Sequence, residues 1–420
     1  MQSSIKLRLT VMNFLQFAVW GAYLTSMGRY LGTAGFGSEI GNFYAMQGLV
    51  SLFMPALMGI VADRWIPAQR LLGVCHMLAG MLMLGVFLYT QTDAPSYPSL
   101  FALYSLSVAF YMPTLALSNS VAYTSLDQAG LDLVKSFPPI RVFGTVGFIC
   151  TMIAVSLLGL EATSGQFAVS AIISLVLAVY AQTLPNCPTA PKGQSKSLVE
   201  ALGLRAFVLF KQRKMALFFI FSMLLGVSLQ ITNGFANPFI STFGEIPAYA
   251  DTFGVKYANI LISLSQLSET LCILLIPFAL RRFGIRRVML IAMVAWVLRF
   301  ALLGLGNPGS GVWLFLLSMI VYGVAFDFFN VSGSLFVDKE TDPSIRSSAQ
   351  GLFMIMTNGI GATLGSLGAQ AVINHFVYSE HDTTAILAGW SMSWYVFAAY
   401  AAVVTVLFAL LFRYKTETEA

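Results

Sequence analysis

Two carboxylates lie deep inside long apolar runs of this sequence: Asp327 in VYGVAFDFFN (321–330) and Glu269 in LSQLSET (264–270). A charged side chain at bilayer depth costs about 2.5–3.5 kcal/mol on insertion scales, so such residues face a bundle interior or a wet cavity. On a helix, Tyr322 and Phe326 are four apart and share a face, and Asp327 and Asn330, three apart, share an adjoining one. Two aromatics beside an acid and an amide can form the wall of a polar cavity. The bland use of the same acid is a structural hydrogen bond to a neighbouring helix.

Other polar groups recur at helical spacing. Gln266 stands three residues before Glu269, and in the preceding apolar run Gln230, Asn233 and Asn237 follow one another on one face. Amides donate and accept, so this set suits an uncharged ligand with ring nitrogens, carbonyls and hydroxyls. Its bland use is to join two helices. Arg141, Thr145 and Phe148 are spaced four and three apart and share a face; Arg141 could equally be an anchor at the membrane edge. Arg299 lies deeper in its run and is expected to pair with an intramembrane acid that the sequence does not identify. Asn13, Gln16 and Tyr23 share a face near the N-terminus, to line a cavity or to pack.

Enzyme chemistry finds no support. His76, His375 and His381 have no metal-ligand spacing, and no GxSxG, HExxH or P-loop pattern occurs. No metal or other cofactor is expected. The cysteines Cys75, Cys150, Cys187 and Cys272 form neither a disulfide framework nor a CxxC pair. Gly361 and Gly365, four apart, mark close helix packing.

The elements that must position these residues are membrane helices. Of 420 residues, 57% are hydrophobic and only 10% charged, against about 25% charged in soluble domains. The apolar runs are continuous and about 20 residues long, which excludes the alternating strands of a membrane barrel. The expected spans are 9–28, 40–62, 71–90, 98–124, 138–160, 166–184, 215–240, 257–280, 288–305, 311–337, 347–372 and 385–412. Proline pairs and Asn307–Pro308 punctuate them. The first run follows Lys6 and Arg8 without a cleavage motif, so it reads as an uncleaved span. With the N-terminus inside, nineteen Lys and Arg fall on one side and only Arg29 and Lys256 on the other. That asymmetry places both termini in the cytoplasm. The net charge of +5 is thus a topology signal, and no nucleic-acid partner is expected. The hydrophilic stretch 185–214 reads as a cytoplasmic linker between an N-terminal six-helix bundle, 1–184, and a C-terminal one, 215–420. PPIR (138–141) and PSIR (343–346) open the fifth span of each half, a weak internal repeat.

GIVADR (59–64) closes the second span, with Arg70 after it, and resembles the loop signature of the major facilitator superfamily. Gly59, Asp63, Arg64 and Arg70 would form a charged latch that breaks as the halves move. Ile66–Pro67 replaces the usual glycine of that loop. RRFGIRR (281–287) keeps Gly284 and the basic residues but lacks the acid. Six stretches, FLQFAVWGAYLTSMG (14–28), MPALMGIVADRW (54–65), FPPIRVFGTVGF (137–148), FIFSMLLGVSLQITN (219–233), SLSQLSET (263–270) and SMIVYGVAFDFFNVSGSLFV (318–337), resemble the nucleoside:proton symporters of that superfamily.

The resemblance runs from about Leu7 to Tyr414. It implies an all-α membrane protein of twelve transmembrane helices in two six-helix bundles, the major facilitator superfamily fold, with a central site and alternating access. It implies nucleoside contacts from Arg141, Thr145, Phe148, Gln230, Asn233, Gln266, Glu269, Tyr322 and Phe326, with Asp327 beside them. Asp327, and secondarily Glu269, is the expected carrier of the coupling proton. The expected partners are nucleosides, protons and the bilayer, and the expected state is a monomer in a bacterial inner membrane. Two other readings fit the same residues: a proton-coupled sugar or oligosaccharide symporter of this fold, and a membrane sensor that binds without translocating. The preferred nucleoside, the proton stoichiometry, the resting conformation and the role of Arg299 are not legible.

Overall fold

The computed structural model describes residues 2–189, 197–202 and 204–414. Lys192, Lys196 and Lys415, counted above among the basic residues, and Pro191 and Gly193 of the 185–214 stretch lie outside the described residues. All regular structure among the described residues is helical. Among the described residues, nine helical stretches are long and apolar enough to cross a membrane. Two shorter apolar helices, Gly165–Ala181 and Ala258–Ile273, stand where the sixth and eighth spans were expected. The first helix, Gln2–Gly21, carries Lys6, Arg8, Asn13 and Gln16, which lower its hydropathy, and completes a set of twelve. A lipid environment demands that each span satisfy its own backbone, and continuous apolar helices do so.

Several spans are interrupted. A turn at residues 22–26 separates Gln2–Gly21 from Met27–Thr33. The second span breaks before Met54–Arg64, which has Pro55 in its first turn. The seventh breaks at Gln230, between Arg213–Leu229 and Ile231–Thr242. The eleventh contains a π-helical segment, Ile355–Gly361. Such breaks free backbone groups and are tolerated where protein or a wet cavity surrounds them. The eighth and ninth spans meet at Gly284, whose φ of 75° lies in the left-handed region. A side chain with a Cβ is strained there, which explains the glycine inside RRFGIRR. Several boundaries differ from expectation: the first helix, Gln2–Gly21, begins seven residues early, Ala258–Ile273 ends seven residues early, and the fifth helix, Leu133–Leu157, begins five residues early and holds Pro138 and Pro139 inside it.

The chain divides into two compact units, Met1–Tyr30 with Leu49–Leu202, and Leu31–Gly48 with Gly203–Ala420. The first unit has a core in which Leu9 and Met12 meet Leu71, Leu72, Val121 and Leu177. At one end Glu161, 3% exposed, pairs with Arg29 at 3.3 Å and accepts a hydrogen bond from Ser156. A buried carboxylate needs such compensation. The second unit is built on aromatics. Phe218 packs among Phe336, Phe353 and Phe329, and Phe239 among Phe315, Trp390 and Trp394.

Residues 31–48 belong to the second unit because small residues let them approach the eleventh span. A Cβ on Gly41 would lie 2.5 Å from the Ser366 carbonyl oxygen, and one on Gly48 2.8 Å from that of Gly359. Gln370 Nε2 donates to the Gly37 carbonyl at 3.0 Å, and Asn374 Nδ2 to that of Ser38 at 3.2 Å. The seventh and eleventh spans touch in the same way: a Cβ on Gly361 would sit 2.4 Å from the Met223 oxygen, and one on Gly365 2.0 Å from the Val227 oxygen. The expected packing role of these two glycines is therefore met. Gly365→Ala pushes two backbones apart and is expected to cost about 1–3 kcal/mol. Thermal unfolding in detergent checks it; an unchanged midpoint would refute the close contact.

Candidate functional site

In the first unit, the fifth helix presents Arg141, Thr145 and Phe148 on successive turns, as their spacing predicts. Phe148 is 7% exposed, while Arg141 and Thr145 are half-buried. The first helix seats this face. A Cβ on Gly147 would meet the Phe14 oxygen at 2.1 Å, and one on Gly21 the Phe148 oxygen at 2.4 Å. The two backbones are therefore nearly in contact. Phe148 meets the Trp20 ring edge-on, 6.4 Å between centroids, and the Arg141 guanidinium lies 4.0 Å from the centre of the Phe17 ring. A cation held over an aromatic face is attracted by the ring quadrupole. This fixes the arginine beside Thr145 and Phe148.

Phe17 and Trp20 were not singled out from the sequence. Their signal was weak but present: they flank Gln16 and Gly21 at helical spacing and share the small-residue seam with Gly144 and Gly147. The face read from Asn13, Gln16 and Tyr23 proves to be packing. Gln16 Oε1 bonds His76 Nε2 at 2.8 Å, and its Nε2 donates to Thr114 Oγ1 at 2.7 Å. His76 Nδ1 lies 2.9 Å from Ser174 Oγ. Asn13 Nδ2 donates to the Leu9 carbonyl of its own helix, and Tyr23 packs on Tyr104 and Phe167. Among the described residues no cluster of His, Cys, Asp or Glu could hold a metal.

In the second unit, the break at Gln230 places its amide beside the next helix, where Asn233 Nδ2 donates to Gln230 Oε1 at 2.9 Å. Both are half-buried. Asn237 departs from the expected face. It is fully buried and its Nδ2 donates to Asn259 Oδ1 at 2.9 Å, tying the seventh span to the eighth. On Ala258–Ile273, Gln266 and Glu269 are half-buried one turn apart. On Val312–Glu340, Tyr322 and Phe326 stack with centroids 5.6 Å apart and planes 16° from parallel. Asp327 is 5% exposed, and its Oδ2 has no hydrogen-bond partner among the described residues. Glu269 lies close enough for the two charges to interact. A Cβ on Gly323 would lie 2.5 Å from the Ser268 oxygen, so the eighth and tenth spans touch one residue before Glu269 and one turn before Asp327. Within this unit the amide pair lies on the seventh span, Gln266 and Glu269 on the eighth, and the stacked aromatic pair with Asp327 on the tenth. The bland role for Asp327, a bond to a neighbouring helix, finds no partner at Oδ2.

The loop residues sit at helix ends. Asp63 and Arg64 end Met54–Arg64, and Arg70 stands in the first turn of Ala68–Tyr89. Arg64 and Arg70 are exposed, and nothing lies within 4 Å of a Cβ placed on Gly59.

Twelve membrane helices with polar groups buried inside each unit define a polytopic transporter of the major facilitator superfamily fold. The chain matches the nucleoside H+ symporter family over residues 3–417 and belongs to it. It is 48% identical over 419 residues to the xanthosine permease of Escherichia coli, covering 99% of this chain and 98% of that protein. It is 46% identical over 415 residues to the nucleoside permease NupG of Escherichia coli, covering 98% and 97%. A crystal structure of the nucleoside transporter NupG superposes with a TM-score of 0.89 at 45% identity, covering 98% of this chain and 100% of that one. The family is one of transporters, and the chain is a multi-pass membrane protein rather than an enzyme.

Proposed function

We propose that this protein imports nucleosides together with protons, by alternating access, across a bacterial inner membrane with both termini in the cytoplasm. The observation that carries this reading is Asp327: a buried acid with an oxygen that has no hydrogen-bond partner among the described residues, beside Glu269 and a stacked aromatic pair, in a chain of the nucleoside H+ symporter family. The relatives' names add xanthosine to the substrates worth testing.

In the proposed mechanism, Gln230, Asn233, Gln266 and Glu269 hydrogen-bond the base edge and the ribose hydroxyls. Phe148 and the Tyr322–Phe326 stack offer aromatic faces to the base. Arg141 and Thr145 offer a charged and a neutral donor. Asp327 takes the coupling proton on the outer side and gives it up on the inner. Protonation removes a charge that is costly at bilayer depth, so the loaded carrier changes conformation more readily than the ionised one. Glu269 is the second carboxyl that could share the proton. Asp63 with Arg64 and Arg70 would be the latch that parts as the two bundles, 1–184 and 215–420, move about the linker.

The test is uptake of radiolabelled uridine and xanthosine into proteoliposomes, with and without an inward proton gradient. Accumulation above equilibrium that collapses with a protonophore is expected. Uptake of disaccharides but not nucleosides would overturn the substrate assignment. Binding without uptake or exchange would overturn transport.

A further inference from the structure

The last part of the 185–214 stretch has a structure of its own that the transport mechanism does not use. Leu204–Lys211 is a 3-10 helix. It packs against Arg213–Leu229 and Arg346–Met354, the first pieces of the seventh and eleventh spans. Such a helix has three residues per turn, so residues three apart eclipse and form rows. Ala206 and Leu209 make one row, and both are buried. Leu204, Phe207 and Phe210 make the second. The Phe210 ring meets Phe219 at 5.6 Å between centroids, and Phe207 stacks on Phe210 at 5.8 Å and 18°. Leu204 and Phe207 are nonetheless 43% and 45% exposed. Arg205, Val208 and Lys211 make the third row, and all three are exposed. One row is thus spent on the protein, one is apolar and open, and one carries basic residues.

The position of the helix says what covers the open rows. A single residue, Gln212, separates it from Arg213–Leu229, which opens a membrane span. The chain therefore holds Leu204–Lys211 at the bilayer surface. The basic residues that follow have different partners. Lys214 Nζ pairs with Glu340 and lies 5.6 Å from the centre of the Tyr414 ring. Lys211 and Arg213 are exposed, and neither makes an ion pair among the described residues. Apolar side chains beside basic ones, on a short helix at this depth, match the two layers of a leaflet: acyl chain below, phosphate above.

We propose that Leu204–Arg213 is a docking surface for anionic phospholipid. Leu204, Phe207 and Val208 enter the boundary between headgroups and acyl chains, and Lys211 and Arg213 take the headgroup phosphates. Long basic side chains lay their stems on apolar surface and keep their charge at the headgroups, and arginine presents a fork that fits a phosphate. Each basic residue at an anionic surface raises affinity about fivefold. Docking there fixes one end of Arg213–Leu229, the helix whose other end is Gln230.

The experiment is thermal unfolding of the full chain in nanodiscs of phosphatidylcholine alone and with increasing phosphatidylglycerol. Both leaflets carry the same mixture and no transport is measured, so the result depends neither on topology nor on the symport reading. The wild-type midpoint is expected to climb by about 2–4 °C with phosphatidylglycerol and to fall back in high salt, which screens exposed charge. K211Q/R213Q should match the wild type in pure phosphatidylcholine and lose most of the climb. R281Q/R282Q, which removes two exposed basic residues from another loop, should keep it. No climb in the wild type, a full climb in K211Q/R213Q, or the same loss in both double variants overturns the proposal. Should K211Q/R213Q fail to fold, K211Q alone decides by the same criteria. The apolar row is read separately, from a nitroxide on F207C in a C150S background, since Cys150 is exposed. Collisions with oxygen are expected to exceed those with a water-soluble nickel chelate. The reverse order, or protection from both, would mean that water or protein covers this row, and would overturn membrane docking.

Discussion

Replacing Asp327 by asparagine is expected to leave nucleoside binding and exchange in place while the accumulation ratio falls to one. Asparagine has the size of a protonated aspartate and no charge, so the tenth helix keeps its packing and the carrier is locked in the form that mimics a loaded proton. Asp327 Oδ2 has no hydrogen-bond partner among the described residues, so little structure depends on the carboxylate itself. The change also relieves the cost of a charge in the membrane, about 2.5–3.5 kcal/mol on insertion scales. The variant is therefore expected to be at least as stable as the wild type. The sign of the pH dependence follows. Wild-type accumulation falls as external pH rises, because fewer carriers are loaded from outside, whereas counterflow by the variant should be flat with pH. Counterflow of labelled uridine, measured beside gradient-driven uptake, separates the two steps. A variant that still concentrates substrate with the wild-type pH dependence would move the proton to Glu269.

Phe148→Ala should produce the larger loss of apparent affinity. Stacking of a base on an aromatic side chain is worth about 1–3 kcal/mol, equivalent to roughly 5–150-fold. The expected result is a KM for uridine raised within that range, with maximal rate and proton coupling little changed. Phe148 is held from both sides: by Trp20 edge-on, and by the backbone contacts at Gly21 and Gly147. Its removal should leave the first and fifth helices in place, because those contacts are made by backbone. Phe148→Tyr keeps the ring and is expected to restore most of the affinity. Loss of the folded protein in Phe148→Ala but not in Phe148→Tyr would assign the residue to packing instead, and a KM equal to that of the wild type would remove it from the site.

Which features could be read in advance follows from physical range. Span existence depends on local composition, since a run of about twenty apolar residues has few other places to go. Side-chain spacing on one helix is also local, which is why the Tyr322–Phe326 stack and the turn-by-turn order of Arg141, Thr145 and Phe148 were legible. The amides at Gln230 and Asn233 were read correctly as neighbours for the same reason. Family likeness extended this to the roles proposed for each residue.

Partners across helices were not legible, because they depend on which faces meet. Gln16 and Asn237 carry the same residue types as the proposed site, yet Gln16 serves His76 and Thr114, and Asn237 serves Asn259. Arg299 was expected to find an acid; the packing of the eighth, ninth and tenth spans gives it serine and carbonyl oxygens and the Tyr322 ring instead. The assignment of residues 31–48 to the second unit likewise turns on Gly41 and Gly48 meeting the eleventh span, a contact between segments more than 300 residues apart. Composition and spacing by themselves thus determined a membrane protein of about twelve helices and the faces its polar residues share, and the family resemblance made it a carrier. Only the tertiary structure decided which of those polar residues bond to one another, and that Asp327 keeps an oxygen with no hydrogen-bond partner among the described residues.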